Sequence, residues 1–299
     1  MSLDNNRYNE IKRSPSNPLF SIIIPNKDRI SELDRAIKSV LDQTHKNIEI
    51  LVVDDSDQKC FEHIKMKYNT NRNISVIRGE GKGDGGARLK GLRACNGQFV
   101  IFLDSDDELE PTKLNQHINL WKTNPSIGLS WDDTLETYDN LEPQTIPVPI
   151  TIPSNRVLIK PRTIESLLLA GNFIHMSSGV TTKKIAMEVI NKHYFTSSFD
   201  YYLWLYITLD YDAYYLKERL TIKHCEGGNR LGKNEVGLLK EWFATLHTDS
   251  ELMKLYRDRY KEGGFLMGLR HIVITFGIST RLSKIIPSSI RNNIRNRSN

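Results

Sequence analysis

The chain has 299 residues, 39% apolar and 26% charged, enough for a packed core and unlike the composition of a disordered chain. Its net charge of +5 is unevenly placed: six arginines and lysines and no acid follow Glu262, so the body is near neutral and lacks the basic surface expected of a nucleic-acid-binding body. Three scattered cysteines, Cys60, Cys95 and Cys225, argue against a disulfide framework and a zinc site and fit a reducing, cytoplasmic setting; the first 18 residues are polar, without the apolar core of a signal peptide, and no uninterrupted run has the length of a membrane span.

Residues 1–18 read as a flexible lead-in, with Pro15 and Pro18 near its end. Leu19–Ile24 is a short apolar run suited to a buried parallel strand. Ser31, with Asp34 three residues on, predicts a capped helix carrying Leu33, Ile37, Val40 and Leu41 at helical spacing. Ile48–Val53 predicts a second strand, 58–68 a helix and Ile74–Ile77 a third strand. Glycine-rich sequence then leads into a helix over 85–95, Phe99–Leu103 predicts a fourth strand, and Pro111 opens a further helix at a position where proline is tolerated. Strands alternating with helices imply an α/β fold with a doubly wound, mostly parallel, Rossmann-like sheet. After residue 135 the pattern loosens: five prolines fall between Pro143 and Pro161, which predicts a long irregular connection. Residues 163–230 read as short mixed elements and 234–261 as helical, ahead of the basic tail.

The strongest chemical signal is the strand that runs straight into Asp104-Ser105-Asp106-Asp107. Open α/β sheets bind ligands at the carboxyl ends of their strands, and adjacent carboxylates repel unless a cation lies between them. Hard oxygen donors suit Mg²⁺ or Mn²⁺, which could bridge a diphosphate; the alternative is an acidic lead into the helix at Pro111. Asp54-Asp55 ends the second strand on the same sheet edge, as partners for a nucleobase or ribose or as a turn. Gly79, Gly81, Gly83, Gly85 and Gly86 let backbone approach phosphates, with Lys82 and Arg88 as cations; alone they would read as a mobile surface loop. Asp132-Asp133, after the strand Gly128–Trp131, could meet an acceptor or form a turn, and Trp131 and Trp204 could stack on a sugar or pack in the core.

In order and spacing, Ser21-Ile-Ile-Ile-Pro25, Ala36-Ile-Lys-Ser-Val-Leu-Asp-Gln-Thr44, Ile50-Leu-Val-Val-Asp54-Asp55-Ser56, Gly85-Gly86-Ala87-Arg88-Leu89-Lys90-Gly91-Leu92 and Leu103-Asp104-Ser105-Asp106-Asp107 resemble glycosyltransferase family 2, the inverting family with the GT-A fold. The resemblance is clear over residues 18–135. It implies a donor-binding half at 19–135, an acceptor and catalytic-base half at 136–232 of the same domain, and a helical, basic C-terminal extension at 233–299. It also implies that Pro25, Asp28 and Asp55 line the nucleobase pocket, that Arg88 lies near base and diphosphate, that Asp104 lies near the ribose, and that Asp106 holds Mn²⁺ or Mg²⁺. Lys27-Asp28 stands where relatives have Tyr-Asn, and Leu89 where they have Asn. Phe199-Asp200-Tyr-Tyr-Leu-Trp204 resembles the family phrase whose Asp is the catalytic base, although Asp200 also suits a helix cap. His224 could complete the metal shell, as a histidine near this point does in relatives, or be structural.

The activity so implied is transfer of a sugar from a nucleoside diphosphate donor, UDP-linked by preference, to a saccharide or lipid-linked acceptor in surface polysaccharide or lipid-linked oligosaccharide synthesis. A non-catalytic sugar-nucleotide-binding protein on the same fold is the alternative. Four apolar residues before Asp104-x-Asp106 also match the nucleophile loop of haloacid dehalogenase-type phosphatases, with Asp104 as nucleophile. In the tail, Phe265, Leu266, Leu269, Ile272, Val273 and Phe276 share one helical face beside Arg291, Arg295 and Arg297, which predicts peripheral docking of residues 263–299 on an anionic inner membrane surface or, alternatively, packing of the first segment on the catalytic domain.

Overall fold

The structure, a computed structural model, describes residues 17–124, 126–138, 141–146, 148, 152, 156–158, 172–193 and 198–225. Most of the expected lead-in, the helical stretch at 234–261 and the tail at 263–299 lie outside the described residues. The chain divides into two compact units. The first comprises Met1–Pro147, Ile152–Lys160 and Ile174–Glu226 and contains every element below; the second comprises Val148–Thr151, Pro161–Phe173 and Gly227–Asn299.

Chain order in the first unit is β1 (Phe20–Asn26), α1 (Ser31–Leu41), β2 (Ile48–Asp54), α2 (Gln58–Tyr68), β3 (Ile74–Arg78), α3 (Gly83–Ala94), β4 (Phe99–Phe102), β5 (Asp107–Leu109), α4 (Lys113–Thr123), β6 (Ile127–Tyr138), β7 (Leu141–Thr145), β8 (Val157–Leu158), β9 (Val180–Thr182), α5 (Lys183–Lys192), α6 (Phe199–Asp210) and β10 (Asp212–His224). The strands form one sheet in the order β3-β2-β1-β4-β9-β6-β10-β5, with β7 beside β6 and β8 beside β10. β3, β2, β1 and β4 are parallel, and β6 and β10 are parallel to each other. β9, β5, β7 and β8 run antiparallel to their neighbours. The α/β class with a mostly parallel sheet is thus the one the sequence implied.

The parallel half explains itself locally. Every residue of β1 and β4 is buried, as expected of strands covered on both faces, and their side chains are nearly all apolar. α1 buries Leu33, Ala36, Ile37 and Val40 along one stripe. Its first helical residue is Ser31, but the cap position is Ile30 and Ser31 turns its hydroxyl to Glu32, 2.8 Å away, so the expected Ser31 cap does not form. Asp57 is a true cap: its carboxylate accepts from the Cys60 amide at 2.8 Å and starts α2. After β1 the chain moves outward to β2 and β3, and then returns to the other side of β1 for β4. The sheet order therefore reverses between β1 and β4, and at such a point the loops part and leave a crevice.

Two polar side chains, Glu49 half-buried at the amino ends of the strands and Gln43 fully buried, tie neighbouring segments together. Glu49 on β2 accepts from the Ser21 hydroxyl at 2.5 Å and the Gly97 amide at 2.9 Å, tying β1 to the turn that enters β4. Gln43, fully buried after α1, donates to Glu110 O at 2.8 Å and accepts from the Leu114 amide at 3.2 Å. It thereby clamps the segment between β5 and α4, so the phrase around Asp42-Gln43-Thr44 supports the acidic loop from behind.

Candidate active site

β4 delivers Asp104 to the carboxyl edge of the sheet, and the chain then turns into the short strand β5, which begins at Asp107. The acids thus lead into a strand rather than into the helix at Pro111; α4 starts later, at Lys113. One carboxylate oxygen each from Asp104 and Asp107 and a ring nitrogen of His175 lie within 4.8 Å of one another, the one such group of three acid, histidine or cysteine side chains among the described residues. His175 precedes the short 3-10 turn Met176–Ser178, between β8 and β9 in the chain.

The electrostatics of the trio are those of a site short of positive charge. Burial and the neighbouring Asp104 charge push the Asp107 carboxyl well above the usual carboxylate range. Burial also acts against charge on Asp104, but the Arg88 guanidinium outweighs that and holds its carboxyl below the usual range. Arg88 Nη2 donates to Asp104 Oδ1 at 2.5 Å. Burial opposes the Arg88 charge too, yet Asp104, Asp84 and Asp200 keep the guanidinium firmly charged. Burial lowers His175 to about 4, leaving a neutral imidazole, the form that ligates metals. Its Nδ1 is buried without a hydrogen-bond partner, 3.7 Å from Asp107 Oδ2. An orphaned ring nitrogen facing two carboxylates is a donor set that fits a divalent cation.

The residues singled out in the sequence fall into two groups. Asp55, Arg88 and Asp104 all reach the carboxyl edge of the parallel strands. Asp55 follows β2, and its Oδ1 accepts from the Gly81 amide at 2.7 Å, so it is bound to the glycine-rich loop. Pro25 is buried near the end of β1. Asp28, exposed in the next turn with φ 57°, donates its amide to the Ser56 hydroxyl at 2.8 Å. Asp54 is wholly buried and accepts from Asn26 and Ser56, both at 2.7 Å, which makes it a tie between β1 and β2. Asp106 and His224 are not in the carboxylate–imidazole trio. Asp106 is paired with Arg29 at 2.6 Å, and His224 places Nε2 2.6 Å from Glu108 and Nδ1 3.0 Å from the Thr137 hydroxyl. Asp200 is the second residue of α6, and the cap position is Ser198, so Asp200 is not the helix cap. Trp131 and Trp204 are core residues, no more than 1% exposed, and Asp132 is buried within β6; none of them reaches a ligand surface.

Asp107 was visible in the acidic motif without a role of its own, whereas His175 carried no sequence signal. Glycines at the loop have a steric reason. A β-carbon at Gly79 would fall on the Asp55 carboxylate, and Gly81 has φ 68°, a left-handed conformation that favours glycine. Gly79→Ala should therefore cost about 1–3 kcal/mol, as overpacking does, and displace Asp55. Thermal unfolding measures the first effect and UDP calorimetry the second; unchanged values in both would contradict the packing seen here.

Sheet and site together define an α/β protein with a carboxylate–imidazole cluster at the switch point of its parallel half. Residues 21–180, more than half the chain, match the family described as glycosyl transferase family 2, and the chain belongs to that family. Among curated relatives, an uncharacterized glycosyltransferase of Nostoc sp. is 36% identical over 112 residues, covering 37% of this chain and 35% of the relative. WfaP of Escherichia coli, a UDP-Glc:alpha-D-GlcNAc-diphosphoundecaprenol beta-1,3-glucosyltransferase, is 36% identical over 105 residues, 35% of this chain and 42% of WfaP. These matches span well under half the length of the relatives. Among solved structures, Staphylococcus aureus TarS 1-349 in complex with UDP-GlcNAc aligns with TM-score 0.57 and 18% identity over 74% of this chain and 63% of that one. The mannosyltransferase PcManGT of Pyrobaculum calidifontis, in complex with GDP-Man and Mn²⁺, aligns with TM-score 0.58 and 13% identity over 99% of this chain and 87% of that one. At such identities the likeness concerns the fold. Membership in this family sets the chain apart from the haloacid dehalogenase-type phosphatases that Asp104-x-Asp106 also resembled.

Proposed function

We propose that this chain is an inverting glycosyltransferase of GT-A type that moves a sugar from a nucleoside diphosphate, UDP-linked, to an acceptor hydroxyl. The observation that carries the reading is the Asp104–Asp107–His175 cluster, set beside Arg88 at the carboxyl edge of the sheet. Pro25, Asp28 and Asp55 would line the base, Arg88 would meet the diphosphate and Asp104 the ribose side of the donor. Asp104, Asp107 and His175 are the donors that already face one another for Mn²⁺ or Mg²⁺, and Asp106 stands next to them on its arginine. Such an ion, when bound, supplies positive charge against the departing diphosphate. Asp200 takes the proton of the attacking hydroxyl, and attack from the face opposite the diphosphate inverts the anomeric centre.

For the acceptor we favour a saccharide or lipid-linked oligosaccharide, in keeping with the diphosphoundecaprenol-linked acceptor in the name of WfaP. No helix among the described residues is long and apolar enough to cross a membrane, and peripheral docking through residues 263–299 remains part of this proposal.

The test is thermal unfolding with UDP, with and without Mn²⁺. UDP should raise Tm only weakly alone and clearly with the metal, since specific binding stabilises by mass action. In the same titration His175→Ala should raise the Mn²⁺ half-saturation about tenfold or more, whereas His224→Ala should leave it unchanged. The reverse pattern would return the metal role to His224, and no metal-dependent UDP effect in the unmodified chain would overturn the donor-site reading.

A further inference from the structure

Beneath the acidic cluster lies a charged network that the reaction does not use directly. Lys113, the first residue of α4, is fully buried. Its ammonium has three protons and three acceptors: the Asp132 carboxylate, Ser178 O at 3.1 Å and the Thr221 hydroxyl at 2.9 Å. Thr221 on β10 in turn donates to Asp132 Oδ1 at 2.7 Å. His117, one turn along α4, sets Nε2 3.0 Å from Asp132 Oδ2 and Nδ1 2.7 Å from the Ser130 hydroxyl, which also accepts from Trp121 Nε1 at 2.8 Å.

A buried ion pair is a poor source of stability, because desolvation offsets its attraction and apolar replacements of both partners are often neutral. Its placement is more informative. Lys113 grips the carbonyl of Ser178, the last residue of the 3-10 turn. The middle residue of that turn, Ser177, donates its hydroxyl to Asp107 Oδ2 at 2.5 Å and accepts the Asp104 amide at 3.1 Å. The residue just before the turn is His175. Ser177 and His175 therefore depend on where this turn sits; Trp204 Nε1 holds Ile174 O at 3.2 Å just ahead of it, and its far end is held by an ammonium already committed on all sides. Because Asp104 and Asp107 repel each other, a loosely held turn would let the Ser177 hydroxyl and the His175 ring withdraw.

We propose that Lys113 and Asp132 are positioning residues for the cation and diphosphate site: the pair fixes the turn at residues 176–178, and through it holds Ser177 and His175 against the two carboxylates. The assignment rests on reading the cluster as that site. Residues one shell removed from a metal typically alter its affinity by about 10–100-fold.

The decisive variant removes both charges together. Lys113→Met with Asp132→Leu removes both charges but leaves His117 and Thr221 without their carboxylate partner, so it should lower Tm, and where it folds it should raise the Mn²⁺ half-saturation of the UDP-dependent thermal shift by about tenfold or more. Ser177→Ala, which leaves the ion pair intact, should shift the half-saturation in the same direction, and adding it to the double variant should give less than the product of the two effects. A purely structural pair would lower Tm without moving the metal titration. If the double variant fails to fold, Ser177→Ala and Thr221→Val decide. A metal-dependent UDP shift in the unmodified chain, with unchanged half-saturation in the variants that fold, overturns the positioning role alone. Absence of that shift in the unmodified chain overturns the site reading, and this assignment with it.

Discussion

Asp200→Asn should leave UDP bound and slow sugar transfer by about 10²–10⁴-fold, the usual cost of losing a general base. Asp200 is the acid in the first turn of α6, a helix whose other residues are nearly all buried aromatics and aliphatics. A helix apolar all round belongs to a core, so a half-buried carboxylate at its entrance is there at a cost that function can explain. The charge of Asp200 also favours the Arg88 guanidinium, after the larger effects of Asp104 and Asp84. Asparagine keeps the shape and can still accept from the Tyr201 amide, now 2.8 Å from Asp200 Oδ1, so the helix start should survive. Single-turnover transfer with UDP calorimetry separates the roles. Transfer near the unmodified rate would end the base assignment, and lost UDP binding would show that Asp200 acts through Arg88 instead.

The largest stability effect is expected at Lys113. Lys113→Met alone leaves Asp132 buried without its ammonium, and breaking such a pair costs about 3–5 kcal/mol. The cost should be smaller at pH 6 than at pH 8. In the intact protein His117 is held below its ordinary value of 6.5, chiefly by burial, with Lys113 adding to this and Asp132 opposing it. A histidine kept neutral in the fold loses stability as pH falls below its unfolded value, because the unfolded chain then binds the extra proton. Without Lys113 the remaining carboxylate draws the His117 pKa upward, so the variant takes up that proton in the folded state and loses less on acidification. Denaturant unfolding at the two pH values measures both claims. A loss below about 1 kcal/mol, or a deficit that grows towards pH 6, would contradict the network as described.

Local chemistry determined a large part of this protein. Short apolar runs bounded by turn residues, such as 19–24 and 99–103, read as buried strands, the spacing of Leu33, Ile37 and Val40 marks a helix face turned to a core, and strands alternating with helices lead to a parallel sheet. The position of Asp104 to Asp107 at a strand end was equally legible, since one strand and its exit are contiguous in the chain. The partners of those acids were a matter for the tertiary structure. His175 and Ser177 come from some 70 residues further on, at a turn with no periodic or compositional mark. Asp106 turns to Arg29, His224 turns to Glu108, and Asp132, which the sequence offers as an acceptor contact or a turn residue, is buried against a lysine 19 residues before it. Which carboxylate faces an arginine, an imidazole or another carboxylate depends on β9 entering between β4 and β6 and on β5 pairing with β10, long-range choices made by packing the whole sheet. Residue type supplies the charge at each position, but only the assembled sheet brings opposite and like charges within a few ångströms, where their energies are large enough to decide the site.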